Sequence, residues 1–204
     1  KPPIIQNPPI NTLTQEYGSW IWDSPMKMST NVEQNFINFA SQNKINVLYV
    51  TIDDYLDIYN MPEGDAKEAK KKLYSDELEN FIKLANEKDI QVDAEAGWRD
   101  WAEPTVTWKA FAIIDYVKEF NSTRTTKLRG IQYDVEPYLL SSYANSKSRV
   151  LKNFVQLVDD TSKRLGNANL RFSVVIPHFY DSEQAWTPSF AYENYTTHTF
   201  NHLL

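Results

Sequence analysis

Along the chain, short runs of alternating apolar and polar residues are separated by longer stretches whose apolar residues recur every three or four positions. Alternation marks a strand with one face in a core; the longer period marks a helix with one apolar face. Five strands are predicted on this basis, over 17–22, 46–52, 90–96, 128–135 and 170–177. After the first, Ser29 or Thr30 offers an N-cap to a helix carrying Val32, Phe36, Ile37, Phe39 and Ala40. The segment 61–72 reads as a solvated loop and charged turn, with Ser75 opening the next helix through Leu78, Phe81, Ile82 and Ala85. Further helices are expected over 107–120 and 147–165, the second stopped by Gly166, and 198–204 begins one more. Residues 1–15 hold Pro2, Pro3, Pro8 and Pro9 and show neither period, so they read as a leader or linker ahead of a domain over 16–204.

Strands alternating with helices imply parallel pairing. Gly18 stands alone before the first strand, so the glycine-rich phosphate loop of dinucleotide-binding folds is missing. Polar residues inside the strands, with acidic and aromatic residues just beyond them, suit an α/β fold of the other kind: a parallel (β/α) barrel of TIM type, with its site at the C-terminal rim. A full barrel takes about 250 residues. Five units fill these 204, so the expectation is an incomplete barrel, with an open five-stranded sheet as the alternative. Exposed barrel edges would invite self-association.

Composition narrows the chemistry. A net charge of -6 argues against binding a nucleic-acid backbone. No apolar run is long enough to cross a bilayer. Without cysteine there is neither a disulfide nor a thiol nucleophile. A start at Lys1 rather than Met reads as processed or trimmed. Aromatic residues reach 14%, and Trp22, Trp98, Trp101 and Trp186 fall where loops follow strands. Flat apolar faces with one polar handle stack well on sugar rings; the same residues would also serve to pack loops on the barrel top.

The strongest candidate site lies on the fourth strand. Gly130, Gln132, Asp134 and Glu136 share one face, Ile131, Tyr133 and Val135 the other, and Pro137 sets Glu136 at the rim. Paired carboxylates in one cleft supply what glycosidic cleavage needs, a neutral acid and an anion, and their repulsion raises one pKa. A structural role, bonded to loop amides or an arginine, is the competing reading. Glu95 on the third strand and Asp53 after the second are further rim acids, with charge pairing and loop capping as their rival roles. Tyr138, His178 and Tyr180 also sit at strand ends. His198 and His202 have helical spacing but no third ligand, whereas Asp53, Glu95, Asp134 and Glu136 together could take a hard cation. No Gly-x-Ser-x-Gly elbow occurs. The run 67–72 reads as a solvated basic helix face, and 121–123 and 194–196 fit the glycosylation pattern.

Arg129-Gly-Ile-Gln-Tyr-Asp-Val-Glu-Pro137 resembles the fourth-strand motif of chitinase-type glycoside hydrolases, with Asp134 and Glu136 at its last two acidic positions. Arg129 and Gln132 stand where that family has its two earlier aspartates, so its N-acetyl-assisted mechanism is not carried over. The sequence is more similar to a broader set of bacterial glycoside-hydrolase-like barrels with a Gly-Ile-x-x-Asp-Val-Glu-Pro-Tyr strand and an aromatic first strand like Trp20-Ile-Trp22. The likeness runs from residue 17 to about 180. It implies a partial TIM barrel hydrolysing a polysaccharide, outside the cell or at its surface. Glu136 would be the acid/base and Asp134 its modulating partner. Glu95 and Asp53 would bind sugar hydroxyls, with Trp22, Trp98, Trp101, Tyr138, His178 and Tyr180 around the substrate. No cofactor and no metal are implied. Two alternatives stand beside this: a non-catalytic carbohydrate-binding barrel, which the departures at Arg129 and Gln132 favour, and a carboxylate–metal enzyme.

Overall fold

The computed structural model describes residues 15–204; the leader expected over 1–15 lies, but for Gln15, outside the described residues. Strands β1 (Gly18–Ile21), β2 (Val47–Thr51), β3 (Gln91–Ala96), β4 (Gly130–Tyr133) and β5 (Arg171–Val174) form one sheet in sequence order. Every neighbouring pair is parallel. Helices α1 (Thr30–Gln42), α3 (Asp65–Asn86), α4 (Trp108–Thr123) and α5 (Tyr143–Leu165) make the crossovers, with a short α2 (Tyr55–Tyr59) ahead of α3. Right-handed crossovers that always advance in one direction leave all the helices on the same face of the sheet. The winding is therefore that of a barrel wall, since an open doubly wound sheet reverses its strand order.

The strand pattern divides the two faces as the alternation requires. Ile21, Leu48, Val50, Val92, Ala94, Ile131 and Tyr133 are buried and belong to the core under the helices. On the concave face the register stacks side chains in levels. Trp20, Tyr49, Asp93, Gly130 and Arg171 lie on one; Thr51, Glu95, Gln132 and Ser173 lie on the next toward the C-terminal end.

Side-chain contacts show how strongly the sheet curves. In a flat sheet, β1 and β4 would be about 14 Å apart, three strand spacings. The Trp20 indole N–H nevertheless donates to Gln132 Oε1 at 2.7 Å. At the N-terminal end Glu16, just before β1, accepts from Arg129 at 2.8 Å and also pairs with Arg171 at the start of β5. The Arg129 guanidinium in turn grips both oxygens of the buried Asp93, at 2.8 and 2.6 Å. That fork spans β3 and β4, and Glu16 extends it to both ends of the wall.

Several elements depart from the sequence pattern. The segment 61–72 is not a loop throughout: α3 begins at Asp65, with Gly64 at its N-cap and Asp65 and Glu68 in the first turn. Alanine, glutamate and lysine are strong helix formers, and acids at the N-terminal turn favour the dipole, so this turn needs little apolar periodicity. Ser75 is consequently not a cap; it is buried mid-helix with its hydroxyl 3.1 Å from that of Tyr116. Lys67 is not on a solvated face either. It is buried, and its ammonium donates to the Tyr59 carbonyl and to Glu63. In α1 only Ile37 and Ala40 of the expected apolar face are buried; Val32, Phe36 and Phe39 flank an open groove of about 510 Å³ beside β1. The loop expected after the fifth strand contains a hairpin, β6 (Phe190–Tyr192) with β7 (Tyr195–Thr197), before the short helix α6 (Thr199–Leu203). The break at the start of α5, where Ser146 has φ -145 and ψ 37, makes Lys147 the start of its regular part, as the period predicts. Gly166 caps its end at φ 54. Among the described residues β1 and β5 each leave one edge unpaired, and no helix is long and apolar enough to cross a membrane.

Asp93→Ala removes the carboxylate that the Arg129 fork encloses and leaves the cation half-buried with only Glu16. The expected destabilisation is about 3 kcal/mol, read from urea unfolding. A loss below about 0.5 kcal/mol would show the fork to be a solvated surface pair.

Candidate functional site at the C-terminal end of the sheet

The ladder continues a residue or two past each strand and sets the site. Ile52 N–H bonds the Glu95 carbonyl at 2.9 Å, Asp134 N–H that of Ala96 at 3.1 Å, and Val175 N–H that of Tyr133 at 2.8 Å. Asp53, Gly97 and Asp134 therefore follow one another across the rim, one level beyond Glu95. Gly97 donates its N–H to Asp53 Oδ1 at 3.2 Å. A Cβ on Gly97 would sit 2.4 Å from the Asp134 carbonyl oxygen, so the backbone there is as close as glycine alone permits.

The four acids form a row, each felt by the next. Burial raises Asp53 to about 7, against the pull of the Gly97 amide, and Asp54 adds to the rise. Burial raises Glu95 to about 8; Asp53 and Asp134 add repulsion, and the Thr51 hydroxyl opposes them. Burial and then Glu136 raise Asp134. Glu95 is only 2% exposed and, unlike Asp93 two residues earlier, makes no ion pair among the described residues. The rival role expected for Glu95, charge partner of an arginine, thus belongs to Asp93. At neutral pH, Glu95 carries its proton and presents a neutral hydrogen-bond donor. One Asp134 oxygen is buried with no partner. Glu136 lies past the end of β4, half-buried, at the N-cap of the 3-10 turn Pro137–Leu139, and accepts from the Tyr138 hydroxyl. Strand alternation predicted the common side of Asp134 and Glu136; the strand itself stops at Tyr133.

Among the aromatic candidates, Trp22 is 64% exposed and Trp98 56%, the latter with the Arg99 guanidinium 4.8 Å from its ring centre. Tyr138 is half-buried beside Glu136, and His178 is exposed next to Phe179. Trp186 is exposed but sits over α5, its carbonyl held by Tyr143 at 2.7 Å. Two expectations are corrected. Trp101 is buried, packed edge-on against Tyr133, which belongs to the core under the helices. Tyr180 is likewise buried, against Phe154 and Tyr138, with its hydroxyl unpartnered. Neither can meet a ligand in this arrangement. Sequence reasoning passed over Trp20 and Tyr49 as site residues. The signal was available, since both occupy the inward register, but nothing in one strand shows how far a ring extends across the concave face.

His198 and His202 are occupied by backbone, Nδ1 of the first near the Tyr180 carbonyl at 3.1 Å and Nε2 of the second near that of Phe190 at 3.0 Å. Among the described residues no three histidine or carboxylate side chains are spaced to hold a metal ion. Asn121, in the first glycosylation pattern, exchanges two hydrogen bonds with the Leu128 backbone, at 2.8 and 2.9 Å, closing the turn into β4.

Solved structures share this architecture. The chain is similar to the exo-β-1,4-mannosidase Op5Man5 from Opitutaceae bacterium strain TAV5, with a TM-score of 0.51 and 12% identity over 74% of this chain and 30% of that one. It is similar also to the GH20 catalytic modules of the pneumococcal exo-β-D-N-acetylglucosaminidase StrH, with a TM-score of 0.52 and 11% identity over 78% of this chain and 53% of that one. The chain thus spans a third to a half of the length of these solved chains. No family model and no curated protein matches it. The fold is α/β, of parallel TIM-barrel type, and the described residues form five strands of such a wall.

Two outcomes check this site. Glu95 holds a proton in the folded state that the unfolded chain, with its ordinary value near 4.5, releases. Its contribution to stability is therefore full at low pH and declines as pH rises from about 4.5 through about 8. Glu95→Gln should be increasingly more stable than the parent between pH 5 and pH 8, by a few kcal/mol at the upper end; parallel unfolding curves would mean that Glu95 titrates normally. Gly97→Ala forces Asp134 away from the rim and should cost about 1–3 kcal/mol in chemical denaturation.

Proposed function

We propose that this chain is the acid-bearing part of a carbohydrate-active barrel that hydrolyses a neutral glycan. The observation that carries the reading is the row Asp53, Glu95, Asp134 and Glu136 at the C-terminal ends of consecutive parallel strands, with burial raising three of them. That is the end of a barrel where ligands are processed. Such a row offers both forms of carboxyl that glycosidic cleavage uses. In this reading Glu136, at the rim, protonates the leaving oxygen. Asp134, between Glu136 and Glu95, is its modulating partner. Asp53 and Glu95 hold sugar hydroxyls, and Trp22 and Trp98 flank the opening. The likeness in fold to a mannosidase and an N-acetylglucosaminidase supports the class and suggests mannotetraose and tetra-N-acetylchitotetraose as the probes.

A second reading, binding without turnover, is favoured by Arg129 and Gln132. The two positions at which the chitinase-type motif has aspartates are here tied into the wall, one to Asp93 and Glu16, the other to Trp20 and Ser173. The experiment separates the two. Glu136→Gln is expected to lower turnover of the responsive probe by about 100-fold or more while leaving its binding near the parent value. Binding by the parent chain without any product selects the second reading, and turnover unchanged by the substitution removes Glu136 from the chemistry.

A further inference from the structure

We propose that Trp20 is the floor of the glycan site, a fixed aromatic platform for the apolar face of a neutral pyranose ring. This rests on the carbohydrate reading above and deepens it by naming the surface that takes the sugar and the charge class of that sugar.

Trp20 lies on the concave face, one level below Glu95, and keeps 44% of its surface exposed. An exposed indole inside a curved sheet would normally sample several rotamers. This one is held by two contacts, each of them supported in turn. One face stacks on Tyr49, with ring centres 5.3 Å apart and planes 22° from parallel. Tyr49 has room for its ring because Gly18 lacks a Cβ, which would stand 2.7 Å from it. The indole N–H reaches Gln132 Oε1 at 2.7 Å, and the Gln132 amide is oriented by donating to the Ser173 hydroxyl at 3.2 Å. Residues of β1, β2, β4 and β5 thus fix one ring, part of which stays exposed. The Gln132 and Ser173 relay satisfies the buried amide and at the same time fixes the indole. A ring held in place before the ligand arrives loses no rotamer freedom on binding.

Charge sets the class of sugar. Among the described residues the acids above the floor make no ion pair, and the lysines acting on Asp53 are Lys109, engaged by Asp100 at 3.1 Å, and Lys27, facing Asp54 at 3.6 Å. An anionic sugar would meet Asp134 and Glu136 without a counter-ion. A neutral pyranose can instead stack on Trp20 and take hydrogen bonds from its hydroxyls to the acids.

The test uses the full chain with mannotetraose, tetra-N-acetylchitotetraose and, as the anionic comparator, tetragalacturonic acid. Calorimetry is expected to find binding of at least one neutral probe and none of the anionic one at the same concentration. Trp20→Leu, which keeps apolar volume but removes the flat face, should weaken that binding tenfold or more; Trp20→Phe should stay within about threefold. In the unsubstituted protein, oxidation by N-bromosuccinimide mapped by mass spectrometry should show Trp20 protected by bound glycan and Trp108 unchanged, a readout independent of how the variants fold. Neutral-probe binding with Trp20 unprotected, or with Trp20→Leu at parental affinity, overturns the platform and leaves the acid row standing. Tighter binding of the anionic probe overturns the charge class. No binding of any probe overturns both this inference and the reading beneath it.

Discussion

The curvature of the sheet is the constraint on which the rest of this structure depends. Strand-end side chains in a flat parallel sheet point the same way and do not converge. Here Arg129 grips Asp93 and Glu16, Glu16 also reaches Arg171, and Trp20 crosses to Gln132. These contacts join strands that are neighbours only if the wall bends. Once it bends, acids that are merely successive along β2, β3 and β4 come to lie along one rim. The ion network closes the N-terminal end, away from the acids. In this way the wall separates stabilising charges at one end from unpaired charges at the other, as expected of a barrel with its chemistry at the C-terminal face.

That separation explains the acids. Burial disfavours the charged form of a carboxyl, and at Glu95 the neighbouring carboxyls add repulsion to it. Asp93 and Glu95 are two residues apart on the same face of the same strand and both buried, and of the two only Asp93 has an ion pair among the described residues. Burial costs Glu95 its charge because Arg129 is already committed one level below. The energetic disadvantage of leaving Glu95, Asp53 and Asp134 without an ion pair among the described residues is borne by a large core between sheet and helices, and residues held in unfavourable surroundings concentrate at functional sites.

The aromatic residues sort along the same division. Those on the helix side, Trp101 and Tyr180 among them, are packing, and their edge-on contacts with Tyr133, Phe154 and Tyr138 are those of a core. Those on the concave side or at the rim, Trp20, Trp22 and Trp98, stay partly exposed. The hairpin of β6 and β7 with α6 lies over α5 and β5, away from the acids, and encloses a polar groove of about 720 Å³ that contains none of them.

The sequence alone determined the order of the strands, the face each residue takes and the end at which the acids lie, because period and turn residues are local properties. It read the inward residues of β3, and those of β4 as far as Gln132, carried the fourth strand to residue 135 where the structure ends it at Tyr133, and set the regular start of α5 at Lys147 and its stop at Gly166. It misread the first turns of α3, where helix propensity and terminal charge act without apolar period, and took Trp101 and Tyr180 for rim residues because both follow strands. Only the tertiary structure decided which acid received the arginine, which aromatic rings were buried, and that Trp20 spans the concave face. Each of these depends on distances between residues far apart in the chain, such as the 112 positions between Trp20 and Gln132, and a local pattern carries no information about such distances.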